Sequence, residues 1–293
     1  MVSSIFTPHA LVIPGEARIH ALQRHTFSDE AAQMVQREVP GATVQHHDGI
    51  DGVWQAVEAG DYGVVPIENS SGGIVWSHLD RLRDAAVRIV AEANVPVHIH
   101  AAGVPGSDLS GVKKVYSHQK GLDQCGRFLQ RIGEVKQYAV DSTAAAAEVV
   151  AMAKDPSSIA LSSRSAIDAL GLEMLAEDVA DLPPDENITQ LLLLHHNPEN
   201  HLPFPEARRH AALITPNERT GVLADILQLI KLARVNLTSL HSRNVGRKRY
   251  TFYVEMARQG SPEEFDLMAR MLKTTPDVSD VKWIGSWNKS YEP

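Results

Sequence analysis

Apolar and polar residues change their spacing repeatedly along this chain. Between residues 16 and 95, helical and extended patterns alternate. Thr26 with Asp29 three positions on reads as an N-terminal capping pair, opening a helix over 27–38. YGVVPI at 62–67 is a short run rich in β-branched residues, the pattern of a strand covered on both faces. A second block from about residue 95 repeats the rhythm, with a strand over 112–116, a helix over 121–131, a strand over 136–140 and an Ala-rich helix over 143–154. Asp141 and Ser142 are natural N-cap residues for that last helix. Thr143 then falls in its first turn, where free backbone N–H groups and the helix dipole favour anions. This alternation predicts an α/β fold.

The segment NPENHLPFPEAR, 197–208, contains three prolines and reads as a linker. Beyond it the pattern gives a strand over 211–215, a helix over 221–233, strands over 235–245 and 249–257, a helix over 262–273 and a strand over 278–284. That order is βαββαβ, the ferredoxin-like arrangement.

A length of 293 residues fits two or three domains, and 43% hydrophobic with 22% charged residues is ordinary globular usage. Apolar runs such as 191–194 fall far short of a bilayer span, so no membrane partner is expected. The first fifteen residues carry no Lys or Arg and two prolines, unlike a secretory leader, which predicts a cytoplasmic location. The single cysteine, Cys125, excludes an internal disulfide and a multi-thiolate metal site, and is assigned to packing. The formal charge of -8 disfavours nucleic acid. The basic run RNVGRKR at 243–249 lies between two strand patterns, as a solvated hairpin turn would.

Three polar clusters follow strand patterns: Glu68-Asn69-Ser70-Ser71-Gly72-Gly73, Ser117-His118-Gln119 and Asp141-Ser142-Thr143. Ligands of α/β sheets bind beyond the carboxyl ends of strands, so the three together suggest a site for a small anion. Taken singly, each is also ordinary turn and cap chemistry. His118 has the titration range of an acid or base, or is simply a structural histidine. The pairs His46-His47 and His195-His196 lack partners at ligand spacing, and no metal site is expected. Glu263-Glu264 lies on a solvated helix face, and nothing points to a two-carboxylate hydrolase.

GVVPIENSSGG at 63–73 with Leu79-Asp80, Ser117-His118 with Gln124-Cys125, Ser142-Thr143-Ala144 and Asn187-Ile188-Thr189 resemble, in order and spacing, the motifs of prephenate dehydratases. The C-terminal block resembles the ACT regulatory domain of that family, with Gly221, Val222 and Leu223 at its glycine motif and Ser242 and Arg243 at its effector motif. The resemblance implies a two-lobed catalytic unit similar to periplasmic binding proteins over 16–197, with one lobe over 16–95 and 182–197 and the other over 96–181. A linker at 198–208 and an ACT domain over 209–290 would follow. The implied reaction turns prephenate into phenylpyruvate by loss of carbon dioxide and water, without a cofactor, for phenylalanine biosynthesis. Thr189 matches the catalytic threonine. Thr26, Glu68, Asn69, Ser70, Ser117, His118, Ser142, Thr143 and Gln190 match positions expected to bind substrate. The implied partners are the ring acid, an amino-acid effector such as phenylalanine, and further copies of the chain in a homodimer or homotetramer.

The chain departs from the family pattern in places. The arginine and phenylalanine after the threonine are Gln190 and Leu191, which removes a fixed cation. The first loop has lost its glycines and reads Leu22-Gln23-Arg24-His25-Thr26-Phe27. Arg24, His25 and, in the second cluster, Lys120 are therefore expected to supply the positive charge. The effector motif begins with His241 where the family has glutamate. A prephenate decarboxylase-like enzyme and a non-catalytic binder of small acids are the alternative readings.

Overall fold

The computed structural model describes residues 13–197, 203–246 and 249–292. The elements run β1 (Arg18–Leu22), α1 (Phe27–Glu38), β2 (Thr43–His47), α2 (Ile50–Glu58), β3 (Tyr62–Asn69), β4 (Gly73–Ile74), α3 (Trp76–Asp84) and β5 (Val87–Pro96). A second set follows: β6 (His100–Gly103), β7 (Lys114–His118), α4 (Gln119–Asp123), α5 (Gly126–Ile132), β8 (Lys136–Val140), α6 (Thr143–Ala153), β9 (Ser158–Ser162), α7 (Arg164–Ala169) and β10 (Glu173–Ala176). The chain returns through β11 (Ile188–His196). It ends with β12 (Arg209–Pro216), α8 (Val222–Leu232), β13 (Val235–Gly246), β14 (Arg249–Arg258), α9 (Pro262–Thr274), β15 (Val278–Trp287) and β16 (Ser290–Tyr291).

These elements form two α/β lobes and a βαββαβ C-terminal unit. Lobe 1 carries the strand order β5-β11-β3-β1-β2, and lobe 2 a separate five-stranded sheet β10-β6-β9-β7-β8. The chain crosses between lobes twice, and the two passages are tied by Val97 N–H to the Asn187 carbonyl at 2.7 Å and Val179 N–H to the Ile99 carbonyl at 2.8 Å. The central strands β3 and β11 are covered on both faces, which is why they read as unbroken apolar runs.

Local chemistry accounts for the helix starts. The Thr26 hydroxyl accepts from Asp29 N–H at 3.3 Å, and Asp29 accepts the His25 N–H at 2.8 Å. Ser142 caps α6 through Ala145 N–H at 3.0 Å. At α9, Pro262 occupies the first turn and Glu264 completes a capping box with Ser261, so this glutamate is a cap rather than plain solvated surface. The single helix expected over 121–131 is in fact two, α4 and α5. The Asp181 carboxylate accepts from Gly126 N–H at 3.0 Å and Arg127 N–H at 2.9 Å, restarting the helix after Gln124 and Cys125. Cys125 is buried in the lobe 2 core, and burial pushes its thiol up to about 12, consistent with packing rather than reactivity.

The C-terminal sheet, β13-β14-β12-β15, continues into lobe 1 where β15 runs parallel to β5 at Gly285 and Ile89. A Cβ on Gly285 would lie 2.8 Å from the Ile89 carbonyl oxygen, so only glycine permits this approach. One core then spans both units, joining Val65, Ile89 and Leu192 to Leu213, Tyr253, Ile284 and Trp287. Residues 198–202 of the expected linker, and Arg247 and Lys248 of the basic run, lie outside the described residues. None of the described helices is long and apolar enough to cross a membrane.

Candidate active site

Asn69, the last residue of β3, is the centre of the cleft between the lobes. Its buried amide group works in two directions. Nδ2 donates to Thr189 Oγ1 at 3.1 Å and to Asn187 Oδ1 at 3.2 Å. Oδ1 accepts from Ser71 N–H at 3.1 Å, Gly72 N–H at 2.8 Å and, across the cleft from lobe 2, Gln124 Nε2 at 3.2 Å. Ser70 ties the same loop to β11 through the Ile188 carbonyl and N–H, each at 3.1 Å from its hydroxyl. Because Thr189 Oγ1 already accepts from Asn69, its own O–H is oriented as a donor. Beside it Asn187 is fully buried, and its Nδ2 has no hydrogen-bond partner among the described residues.

Lobe 2 contributes cationic and dipolar groups. Lys120 reaches the 69–72 loop: a Cβ on Gly72 would lie 3.4 Å from Lys120 Nζ and from Asn69 Oδ1. His118 caps α4 by accepting the Lys120 N–H at 3.2 Å, and burial, reinforced by the Lys120 charge, holds its pKa below the usual histidine range. Thr143 opens α6 with a partly exposed side chain, so that helix's free N–H groups are a source of anion donors. A second bridge joins the lobes where the Ser163 hydroxyl donates to the His25 carbonyl at 3.0 Å. His25 itself has a left-handed backbone, φ 64°, in the loop that caps α1.

The structure thus joins Thr189 to the Asn69 amide, with Ser70 tied to the neighbouring Ile188 backbone, Lys120 alongside and Thr26, His118, Ser142 and Thr143 at helix starts. Other expected residues lie elsewhere. The Ser117 hydroxyl is fully buried and donates to the Leu161 carbonyl at 2.8 Å, holding β7 to β9 rather than facing the cleft. Arg24 is exposed. Glu68 and Gln190 are turned away by strand alternation, because neighbours on a strand point to opposite faces. Leu191 and Leu193 join the core under α1, while Leu192 and Leu194 join the core shared with the C-terminal unit. Gln190 goes with the second face: its Nε2 donates to Glu92 at 3.3 Å and to Glu255 of β14 at 3.2 Å. Glu68 Oε2 lies 3.5 Å from His241 Nε2 on β13. The expectation that Gln190 replaces a cation facing the substrate is corrected accordingly.

Gln124 and Asn187 also belong to this network, although the sequence does not single them out as site residues. Asn187 follows a proline-rich turn, and Gln124 falls inside what reads as a continuous helix; only the break imposed by Asp181 turns its amide toward Asn69.

Of the residues expected to bind an effector, Gly221 has φ 82° and opens α8 ahead of Val222 and Leu223. Ser242 and Arg243 lie on opposite faces of β13. Ser242 is exposed, whereas Arg243 makes a two-pronged contact with Asp80 of α3 at 3.0 and 2.6 Å and lies over the Trp76 ring at 5.0 Å.

Among the described residues, His98, His100 and Asp178 form a trio of metal-capable side chains. Their donors face one another: His98 Nδ1 lies 2.8 Å from Asp178 Oδ1, and His100 Nδ1 accepts the Asp178 N–H at 3.1 Å. That closed arrangement fits an interlocked turn better than a cation site. His46 and His47 are engaged with Asp29 and His20, each at 2.7 Å.

Comparison with known proteins bears on this geometry. The family model described as prephenate dehydratase matches residues 23–199. An arogenate dehydratase 1 from Petunia hybrida is 32% identical over 224 residues, covering 75% of this chain and 52% of that protein. A bifunctional chorismate mutase/prephenate dehydratase from Neisseria gonorrhoeae is 30% identical over 243 residues, covering 81% of this chain and 65% of the relative. The chain therefore spans less than two thirds of the length of these curated relatives. Among solved structures, the prephenate dehydratase of Staphylococcus aureus superposes with a TM-score of 0.77 at 25% identity, covering 93% of this chain and 100% of the other. The prephenate dehydratase of Arthrobacter aurescens in complex with L-Phe does so with the same TM-score and identity, covering 93% and 90%. With the matched region running through both lobes and both crossings, the chain belongs to the prephenate dehydratase family.

Proposed function

We propose that this chain is a hydro-lyase that converts prephenate to phenylpyruvate for phenylalanine biosynthesis. The observation that carries the reading is the Asn69 to Thr189 hydrogen bond, which leaves the threonine hydroxyl free to donate. In the reaction the bond from the ring to its carboxylate breaks and carbon dioxide leaves. The released electron pair aromatises the ring and expels the ring hydroxyl, which departs as water after gaining a proton. Thr189 serves as hydrogen-bond donor to that departing oxygen. A threonine hydroxyl is a weak acid, but the aromatic product supplies the driving force, and a donor fixed in advance acts without reorganisation. Lys120 and the α6 N-terminus supply positive charge and donors for the two carboxylates. Thr26, His118, Ser142 and Thr143 shape that end of the cleft, and Arg24 lies beside His25 on the facing loop as a more remote charge.

The proposed division is a catalytic unit over 16–197 and an ACT domain over 209–290. The effector proposed is phenylalanine, the ligand named for the Arthrobacter aurescens relative. Gly221, Val222, Leu223 and Ser242 would receive it, and Arg243 would report to α3 through Asp80. The outermost strand β13 has one unpaired edge in the described chain, suited to a second copy in a homodimer.

The test is incubation of purified protein with prephenate at neutral pH, with products resolved by mass, with and without phenylalanine. Phenylpyruvate supports the dehydratase. A non-aromatic decarboxylated product would overturn it in favour of a decarboxylase, and saturable binding without turnover would leave a small-acid binder.

A further inference from the structure

A polar cluster lies behind the catalytic strand, on the face of β11 opposite Thr189. The Gln190 amide directs its two hydrogens to two carboxylates, Glu92 of lobe 1 and Glu255 of the C-terminal unit. Both carboxylates are nearly inaccessible, with side chains 6% and 3% exposed. Arg209 of β12 lies between them, 3.1 Å from Glu92 and 3.7 Å from Glu255. The Tyr253 hydroxyl donates to the other Glu255 oxygen, and beyond Tyr253 stand His241, its ring 6.3 Å away, and Glu68 beside His241. Gln190 is the residue after Thr189, on a strand hydrogen-bonded on both sides.

We propose that Glu255 is a positioning residue, through which the C-terminal unit fixes Gln190 and hence the register and tilt of Thr189 in the cleft. This rests on the dehydratase reading only for its kinetic consequence. The cluster holds two carboxylates and one guanidinium with a neutral amide, so one carboxylate lacks a full counter-charge. Buried charge without a partner is unfavourable, so the cluster resolves the imbalance by keeping a proton. Burial, with Glu92 adding to it, holds the Glu255 carboxyl above the usual glutamate range, against the opposing pull of Tyr253, Gln190 and Arg209. Ionising Glu255 would place like charges on either side of Gln190 and load the strand that bears Thr189. An arginine at position 190 would supply the missing charge.

The test uses the full chain. Amide hydrogen exchange over 187–191, corrected for intrinsic rate, is measured in the wild type and in Glu255→Ala, Glu255→Gln and Gln190→Arg, with steady-state kinetics on prephenate alongside. Glu255→Ala is expected to speed exchange in that segment selectively and to lower kcat about tenfold with KM nearly unchanged, as for a small misplacement of a catalytic group. Glu255→Gln and Gln190→Arg are each expected to abolish the rise in segment exchange, and the matching fall in kcat, expected of the wild type as pH climbs above the ordinary glutamate range. Unchanged exchange over 187–191 in folded Glu255→Ala, or a uniform rise throughout the molecule, would overturn the proposal. Should Glu255→Ala fail to fold, the pH dependence of exchange in Glu255→Gln decides: a wild-type rise that persists overturns the positioning role. Wild-type protein inactive on prephenate would sink the dehydratase reading, while the exchange result would still decide the joint.

Discussion

Lobe 1 meets its two neighbours in different ways. Against lobe 2 the contact is mainly polar: Gln124 on Asn69, Lys120 beside Gly72 and Ser163 on the His25 carbonyl, with Phe27 of α1 packed against the lobe 2 core as an apolar point. Against the C-terminal unit it is a continuous sheet, a shared apolar core and the buried Glu92, Arg209 and Glu255 cluster. Helix α3 adds to the second seam, since Lys282 of β15 donates to the carbonyls of Leu82, Arg83 and Ala85 at its C-terminal end. Polar contacts exchange readily with those of water or a ligand, whereas a desolvated apolar seam opens only at the loss of its buried area. The first seam is therefore suited to admit substrate, and the second to transmit strain.

The largest expected effect breaks the chemistry of the first seam without touching the second. Thr189→Ala should lower turnover by about a hundredfold or more with only a small fall in melting temperature, because Asn69 Nδ2 loses the hydroxyl but keeps Asn187 Oδ1 and the Ile188 carbonyl as acceptors; an active variant would place the donor elsewhere. The converse is Gly285→Val, which drives a side chain into the Ile89 backbone. It should destabilise the protein by about 1–3 kcal/mol, read as a lower urea midpoint. Prephenate affinity should fall far less than stability if the seams differ as described.

A smaller effect separates the cations at the cleft. Lys120→Met should weaken prephenate binding by about three- to tenfold, less so at high salt, as expected of a partly screened charge. Arg24→Ala should change it less than about twofold, since that side chain is exposed. Equal effects would show that the cleft closes differently around its ligand.

The smallest effect is a slope. The Glu255 carboxyl has its pKa raised in the folded state, so its favourable contribution is complete below the ordinary glutamate range and is lost as pH rises toward the raised value. Stability should decline over that window in the wild type, and Glu255→Gln should flatten the decline. Urea titrations at a series of pH values would show it, and parallel wild-type and variant curves would remove Glu255 as the cause.

The α/β rhythm, the βαββαβ order and the starts of α1, α6 and α9 were legible because each depends on neighbours within one or two turns: a capping hydroxyl, a proline in the first turn, a run of β-branched residues. The polar loops at strand ends were legible for the same reason, and Asn69, Ser70 and Thr189 do converge. What the chain's order could not convey is which face each strand residue takes and what covers that face. Gln190 follows Thr189 in sequence yet serves the opposite seam, because a pleated strand sends successive side chains apart and only the packing of β12 and β14 decides what meets them. The helix break at Gln124 depends on Asp181, more than fifty residues away. Local propensity is a property of the chain; burial, hydrogen-bond partners and the balance of buried charge belong to contacts distant in sequence, and those exist only once the lobes and the C-terminal unit have packed together.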